Sequence, residues 1–197
     1  MATKRGPRFK ECRRLGVNTC GHPKAMKRAD APAFTKRRKV SQYALQLTEK
    51  QKVKAYYGIL EKQLRRYYAA AIKSGGRTGD NLLISLERRL DNIVYRIGFA
   101  NSIRLARQMV THGHVIVNGR KETYPSFTVK PGDVIELREK SRSNENWRTN
   151  FYDRSSFSLP YITKDTDDYK GILLRLPMRE EIPVQLDDHM VVEYYSR

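Results

Sequence analysis

Apolar positions are unevenly organised along this chain. Residues 1–39 have no hydrophobic period; Arg, Lys and Gly dominate, with Pro7, Pro23 and Pro32 spaced among them. Such a segment cannot bury enough apolar surface to fold alone, so it is expected to be an arm that orders on a partner. Helical spacing begins after it. Thr48 and Gln51 stand at capping-box spacing, where the hydroxyl takes one orphan N–H and the amide returns to another. The helix they open is expected to stop at Gly58, a favoured residue just past a helix end. A second helix is expected from Ile59 to Ile72, ahead of Ser74, Gly75 and Gly76. Tyr56, Tyr57, Tyr67 and Tyr68 fall on these helices and are expected as half-buried core rather than as base-stacking platforms.

Thr78 to Asp80 offer N-cap residues for the next helix. At about 100° per residue, Leu82, Leu83, Leu86, Leu90, Ile93, Val94 and Ile97 share one arc, which predicts an amphipathic helix ending at Gly98. Arg89, Asn92 and Arg96 lie beside that stripe. Ser102 can cap a further helix to Thr111, and here the division is clean. Ile103, Leu105, Ala106, Met109 and Val110 take one side, and Arg104, Arg107, Gln108 and Thr111 the other.

Strand signals follow. His114 to Val117 runs into Asn118-Gly119, a dipeptide that suits a type I′ hairpin turn because both positions need positive φ. Pro131-Gly132-Asp133 makes another turn, from which Val134, Ile135 and Leu137 continue as strand. Residues 140–170 are polar and read as irregular. Met190 to Tyr195 is β-branched and aromatic and predicts a last strand.

Charge changes the picture. The 197 residues carry 39 Lys and Arg against 21 Asp and Glu, a net charge of +18. A compact fold tolerates that excess best beside a polyanion, nucleic acid first and an anionic membrane surface second. Thirteen cations against two acids sit in residues 1–39, whereas residues 141–197 carry eight against ten. The binding surface is therefore expected in the first two-thirds. No run of about 18 apolar residues is present to span a bilayer. The first ten residues lack the apolar centre of a secretory signal, so the expectation is a protein made and used in the cytosol. Cys12 and Cys20, the only cysteines, cannot build a disulfide framework.

The polar face of the 103–111 helix has two cations and two neutral hydrogen-bonding residues and no carboxylate. A solvated face normally mixes both signs; a face meant for phosphates excludes acids, each of which would cost Coulomb energy. Asp91 has no carboxylate partner at helical spacing and reads as a capping or ion-pair residue. His112 and His114 would share a face of an extended segment, but neither a third nor a fourth metal ligand is evident. No phosphate-binding GxxxxGK[ST] loop, GxSxG elbow or HExxH helix occurs.

The run RLDNIVYRIGFANSIRLARQMVTHGHVIVNGRK from Arg89, followed by PSFTVKPGD, resembles the small RNA-binding domain of the S4 type. GPRFKECRRLG at the start, QKVKAYYG with LEKQLRR in the middle, and LLRLP with MVVEYYSR at the end are similar to the S4 family of small-subunit ribosomal proteins, in the family's order and over nearly the whole chain. The resemblance implies an α+β protein, a mostly helical domain into which a small RNA-binding domain is inserted, with two helices on a small, largely antiparallel sheet. The expected organisation is a basic arm over 1–40, a helical domain over 41–87 completed by part of 141–197, the RNA-binding domain over 88–140, and a C-terminal segment over 141–197.

What the family does is implied in the same way. Its members bind the 5′ region of small-subunit ribosomal RNA early in assembly, contact neighbouring ribosomal proteins, lie near the messenger path and influence decoding accuracy. Some repress their own messenger. Carried over by position, Arg89, Arg104, Arg107, Gln108, Thr111, His112, His114, Asn118 and Arg120 would face RNA. Arg5, Arg8, Arg13, Arg14, Lys36, Arg37 and Arg38 would follow it as an arm, Arg being suited by its planar fork. Many members hold zinc with four cysteines; here Cys12, Cys20 and His22 offer three ligands, so no metal or other cofactor is expected. Leu60 stands where members often have a capping Ser, so that helix start is expected to fray. Two other classes share the small domain. RNA-modifying enzymes such as pseudouridine synthases need a catalytic domain larger than residues 141–197. Ribosome-rescue factors lack the arm and the preceding helices. The expectation is a non-enzyme without small-molecule substrate or membrane partner, working in the ribosomes of a bacterial cytosol.

Overall fold

The structure, a computed structural model, describes residues 6–27, 41–153 and 159–196. These fall into two units, one within residues 1–82 and 183–197, the other within residues 83–182.

In the first unit the arm is partly folded, against the expectation for residues 1–39. Helix α1 (Arg8–Leu15) buries Cys12 and Leu15 and ends at Gly16, whose φ of 69° reverses the chain. A 3-10 turn, Pro23–Ala25, packs back on α1. The Cys12 thiol and the Thr19 hydroxyl are 3.3 Å apart in the interior. Three small buried side chains are too few to make a period in sequence, yet enough to seat a short helix that also packs on α2.

Helix α2 (Gln42–Tyr56) begins at Ser41, whose hydroxyl accepts from Ala44 N, and not at Thr48. Thr48 lies inside it and its hydroxyl donates to the Ala44 carbonyl at 2.7 Å. The capping-box spacing is thus occupied by a residue bonding back along its own helix. Gly58, with φ 59°, ends the turn beyond Tyr56 as expected. Helix α3 (Glu61–Lys73) starts at Leu60, which offers no hydroxyl. Gln63 accepts the Leu60 N–H at 3.1 Å and supplies half of a capping box. The tyrosines pack as core: Tyr57 is buried, Tyr56 accepts from Gln185 N and Tyr68 donates to the Val192 carbonyl.

Residues 188–195 form helix α9 (Asp188–Tyr195), which corrects the expected last strand. The Asp187 carboxylate caps Met190 N at 3.2 Å, and the helix lies on α2. Val191 is buried there, Gln46 donates to Glu193 at 2.7 Å, and the Lys50 ammonium sits 4.1 Å from the centre of the Tyr194 ring. Tertiary packing overrides the β preference of Val191, Val192 and the tyrosines. Burial would raise the Glu61 carboxyl, but hydrogen bonds from Lys54, Tyr195 and Lys50 hold it at about 2 and so tie α2, α3 and α9 to one ionised group.

Helix α4 (Thr78–Glu87) carries the chain into the second unit, where α5 (Leu90–Ile97) follows after a break. The single helix expected to run through to Gly98 is therefore two. At the break Val129 N donates to the Arg88 carbonyl and the Arg88 Nε returns a bond to the Val129 carbonyl, Leu90 N donates to the Phe127 carbonyl, and Arg89 is extended opposite Thr128. Leu90, Ile93, Val94 and Ile97 of α5 belong to the core of the second unit, and Leu82, Leu83 and Leu86 of α4 are buried as well. Ser102 caps α6 (Ile103–Thr111) as expected, its hydroxyl accepting from Leu105 N.

The sheet has the order β2-β1-β3-β5-β4 and is antiparallel throughout. Its strands are β1 (Val115–Val117), β2 (Arg120–Lys121), β3 (Val134–Leu137), β4 (Ile162–Asp165) and β5 (Lys170–Leu173). Asn118 and Gly119 have φ of 49° and 75°, as the type I′ turn requires. Residues expected as irregular contain two short helices, α7 (Glu139–Arg142) and α8 (Glu145–Asp153), besides β4. Alternate residues Val115 and Val117, Ile135 and Leu137, and Leu173 point inward against Ile93, Ile97, Ala106 and Val110. Opposite Ile135 stands Gly171. A Cβ there would lie 2.5–3.0 Å from three side-chain atoms of the buried Ile97. Gly171→Ala is therefore expected to lower stability by about 1–3 kcal/mol in chemical denaturation, the range of an overpacked core. An unchanged midpoint would mean that α5 can move off the sheet freely.

Candidate nucleic-acid interface

Side chains at the start of α5 fix what lies under α6. Arg89 is 3% exposed and grips Asp91 with two bonds, at 3.0 and 2.8 Å. Arg107, reaching across from α6, holds the same carboxylate with bonds of 2.8 and 2.6 Å. Asp91 is thus an ion-pair residue, as its isolation in sequence suggests. Of the residues expected to contact RNA, Arg89 is interior here and Arg107 is turned onto a buried carboxylate. A second carboxylate lies beside them. Glu87 accepts from Asn92 at 2.7 Å, from Arg96 at 2.7 and 3.1 Å, and from the buried Tyr161 hydroxyl at 3.3 Å.

The outer face of α6 keeps Arg104, Gln108 and Thr111, all exposed. The Thr111 hydroxyl donates to its own helix, to the carbonyls of Arg107 and Gln108. His112 is exposed and continues this face past the helix end. Gly113, with φ 73°, then turns the chain into β1, and the Lys121 side chain lies across it where a Cβ would stand. His114 is half-buried, its Nδ1 3.0 Å from the Ser141 hydroxyl and its ring edge-on to Trp147 at 4.8 Å. Burial lowers its pKa first, and the positive charge of His112, Arg138 and Lys121 lowers it further. Two cations, Arg138 and Lys121, therefore act on one imidazole beside the end of α6, with the His112 ring 6.1 Å from it, an arrangement that favours an anion placed among them.

The hairpin is divided in role. Arg120 is exposed. Asn118, expected to extend the contact surface, spends its side chain on the fold: it donates to Asp133 at 2.8 Å and accepts from Val134 N at 2.8 Å, locking β1 to β3. Lys121 sits with these residues, and Arg138 joins them because its N–H donates to the His114 carbonyl. No sequence spacing links Arg138 to His112; the pairing of β1 with β3 does.

In the first unit Arg14 is exposed, and Arg8 and Arg13 are half-buried on α1. Arg5, Lys36, Arg37 and Arg38 lie outside the described residues. The cysteine and histidine side chains of this unit do not suit a zinc ion. Cys12 is engaged with Thr19, the His22 Nδ1 accepts from Lys24 N at 3.1 Å, and among the described residues no three metal-ligating side chains gather. Burial pushes the Cys20 thiol pKa up, which further disfavours the thiolate a metal needs.

Comparison with known proteins gives the surface a context. Residues 3–87 match the ribosomal protein S4/S9 N-terminal domain, and residues 88–135 match the S4 domain. Three relatives align over the whole of both chains. Small ribosomal subunit protein uS4 of Finegoldia magna is 52% identical, uS4B of Clostridium acetobutylicum 49%, and uS4 of a Geobacillus species 43%. With both domains matched in order and half the residues shared end to end, the chain belongs to the uS4 family of small ribosomal subunit proteins.

Proposed function

We propose that this chain is a structural constituent of a bacterial small ribosomal subunit and no enzyme, binding small-subunit ribosomal RNA in its 5′ region early in assembly. The observation that carries this is the α6 surface: Arg104, Gln108, Thr111 and His112 lead without a carboxylate into the His112–Lys121–Arg138 group. Such a surface meets phosphate and sugar oxygens and reads RNA by shape more than by base edges. The basic α1 and the segment through Lys36, Arg37 and Arg38 add charge that binds by counterion release. Neighbouring ribosomal proteins, and messenger RNA close by, are the further partners in this reading.

The test is affinity for the 5′-region RNA fragment against an unrelated structured RNA, across salt. A preference that survives moderate salt supports the proposal. Equal and steeply salt-sensitive binding to both would sink it. Within the same assay Arg104→Ala should reduce the log K against log salt slope by about 0.7–0.9, the loss of one phosphate contact. An unchanged slope would mean that α6 faces away from RNA.

A further inference from the structure

Helix α1 and the 3-10 turn enclose a cleft of about 610 Å³. Among the described residues its walls carry five cations, Arg8, Lys10, Arg13, Lys24 and Lys27, and no carboxylate. The one acid of α1, Glu11, lines a different hollow with Arg14. The floor is aromatic: the Arg8 guanidinium lies 5.1 Å from the centre of the Phe9 ring, which in turn meets the His22 ring at 5.0 Å.

The walls are held in place from beneath. Cys12, on the same helix, is fully buried against Thr19, and His22 fixes the turn that presents Lys24 by accepting its backbone N–H. Five like charges gathered on a fixed frame repel one another unless an anion enters. Phosphate alone needs no aromatic floor, and an acidic peptide gains little from one. A nucleotide uses both, since bases stack on aromatic rings and on guanidinium planes while the backbone follows cations.

We propose that this cleft is a nucleotide subsite. It takes one unpaired nucleotide of an RNA strand, the base against the Arg8–Phe9 stack and the flanking phosphates on Lys10, Arg13, Lys24 and Lys27. The subsite deepens the RNA-binding proposal and rests on it. It also gives the folded part of the arm a task different from that of α6: it selects a position where a base is turned out of a helix.

Full-length protein is titrated with the 5′-region RNA fragment across salt, as wild type, Phe9→Leu and Lys24→Ala/Lys27→Ala. Phe9→Leu keeps apolar bulk but removes the ring, and is expected to weaken binding about 5- to 150-fold at every salt concentration, the range of one base stack. Lys24→Ala/Lys27→Ala alters two exposed side chains and is expected to flatten the salt slope by about 1.4–1.8. Should Phe9→Leu lose its helical circular dichroism, the lysine pair and loss of protection at a single unpaired nucleotide in footprinting decide the matter. If both variants bind like wild type while wild type still prefers the fragment, the subsite is overturned and the RNA-binding proposal stands. If wild type itself shows no preference, both fall.

Discussion

Asp91→Asn is expected to destabilise the second unit by about 3–5 kcal/mol, because it leaves buried guanidinium charge without its counter-ion. Asp91 is 1% exposed and accepts two bonds from Arg89 and two from Arg107, whose side chains are 4% and 13% exposed. The amide would keep one acceptor oxygen but present an N–H₂ where another guanidinium donates. Trp147, the only tryptophan, lies in this unit, so its fluorescence through a urea titration reports the loss. Arg107→Leu in the Asp91→Asn background should recover part of it, since removing both partners spares a stranded charge. A cost below about 1 kcal/mol would mean the pair is solvated, as exposed ion pairs are. In that case Arg107 would be available to phosphate after all. The outcome therefore separates a brace beneath α6 from a contact on its surface.

Some of this surface is legible in the sequence alone. Ser102 as a cap and the clean division of residues 103–111 are local facts, decided within one helix, and α6 carries both. Asn118-Gly119 is equally local, because few residues accept positive φ in succession. What sequence could not supply is pairing at a distance. Arg107 and Asp91 are 16 residues apart, so nothing in the acid-free face of α6 announced that one of its cations turns inward. Arg89 looked like a flank of the apolar stripe, and only the backbone of residues 127–129 breaks the helix there and buries it. The C-terminal helix shows the same limit: Met190 to Tyr195 favours strand by composition, but Asp187 caps it and α2 offers a helix-shaped bed. Within residues 8–27 a handful of buried small residues gives no period at all, yet it shapes the cleft that Phe9 floors.

Glu87→Gln is expected to cost as much as Asp91→Asn, and for a more crowded reason. Glu87 is 1% exposed, closes α4, and gathers three groups from two places: Asn92 and Arg96 on α5 and Tyr161 just before β4. Burial, and next the charge of Glu87, push the Tyr161 hydroxyl well above its ordinary pKa, so that hydroxyl stays a neutral donor. At one carboxylate oxygen the Asn92 amide, the Arg96 Nε and the Tyr161 hydroxyl all donate. Glutamine has a single acceptor oxygen. With the oxygen turned toward those three donors, its N–H₂ meets the Arg96 Nη2, 2.7 Å from the other carboxylate oxygen. Either orientation strands a buried donor at about 1–3 kcal/mol, and loss of the charge opposite Arg96, 8% exposed, adds to that, so a total of about 3–5 kcal/mol is expected. Tyr161→Phe removes one donor and no charge, and should cost only about 0.5–1.5 kcal/mol. If the two variants prove equal in urea titrations followed by Trp147, the network is held by packing around Tyr161. If Glu87→Gln far exceeds Tyr161→Phe, the carboxylate is what joins α4, α5 and the start of β4. Helix α5, against which α6 packs, would then be held by two buried acids, Asp91 and Glu87.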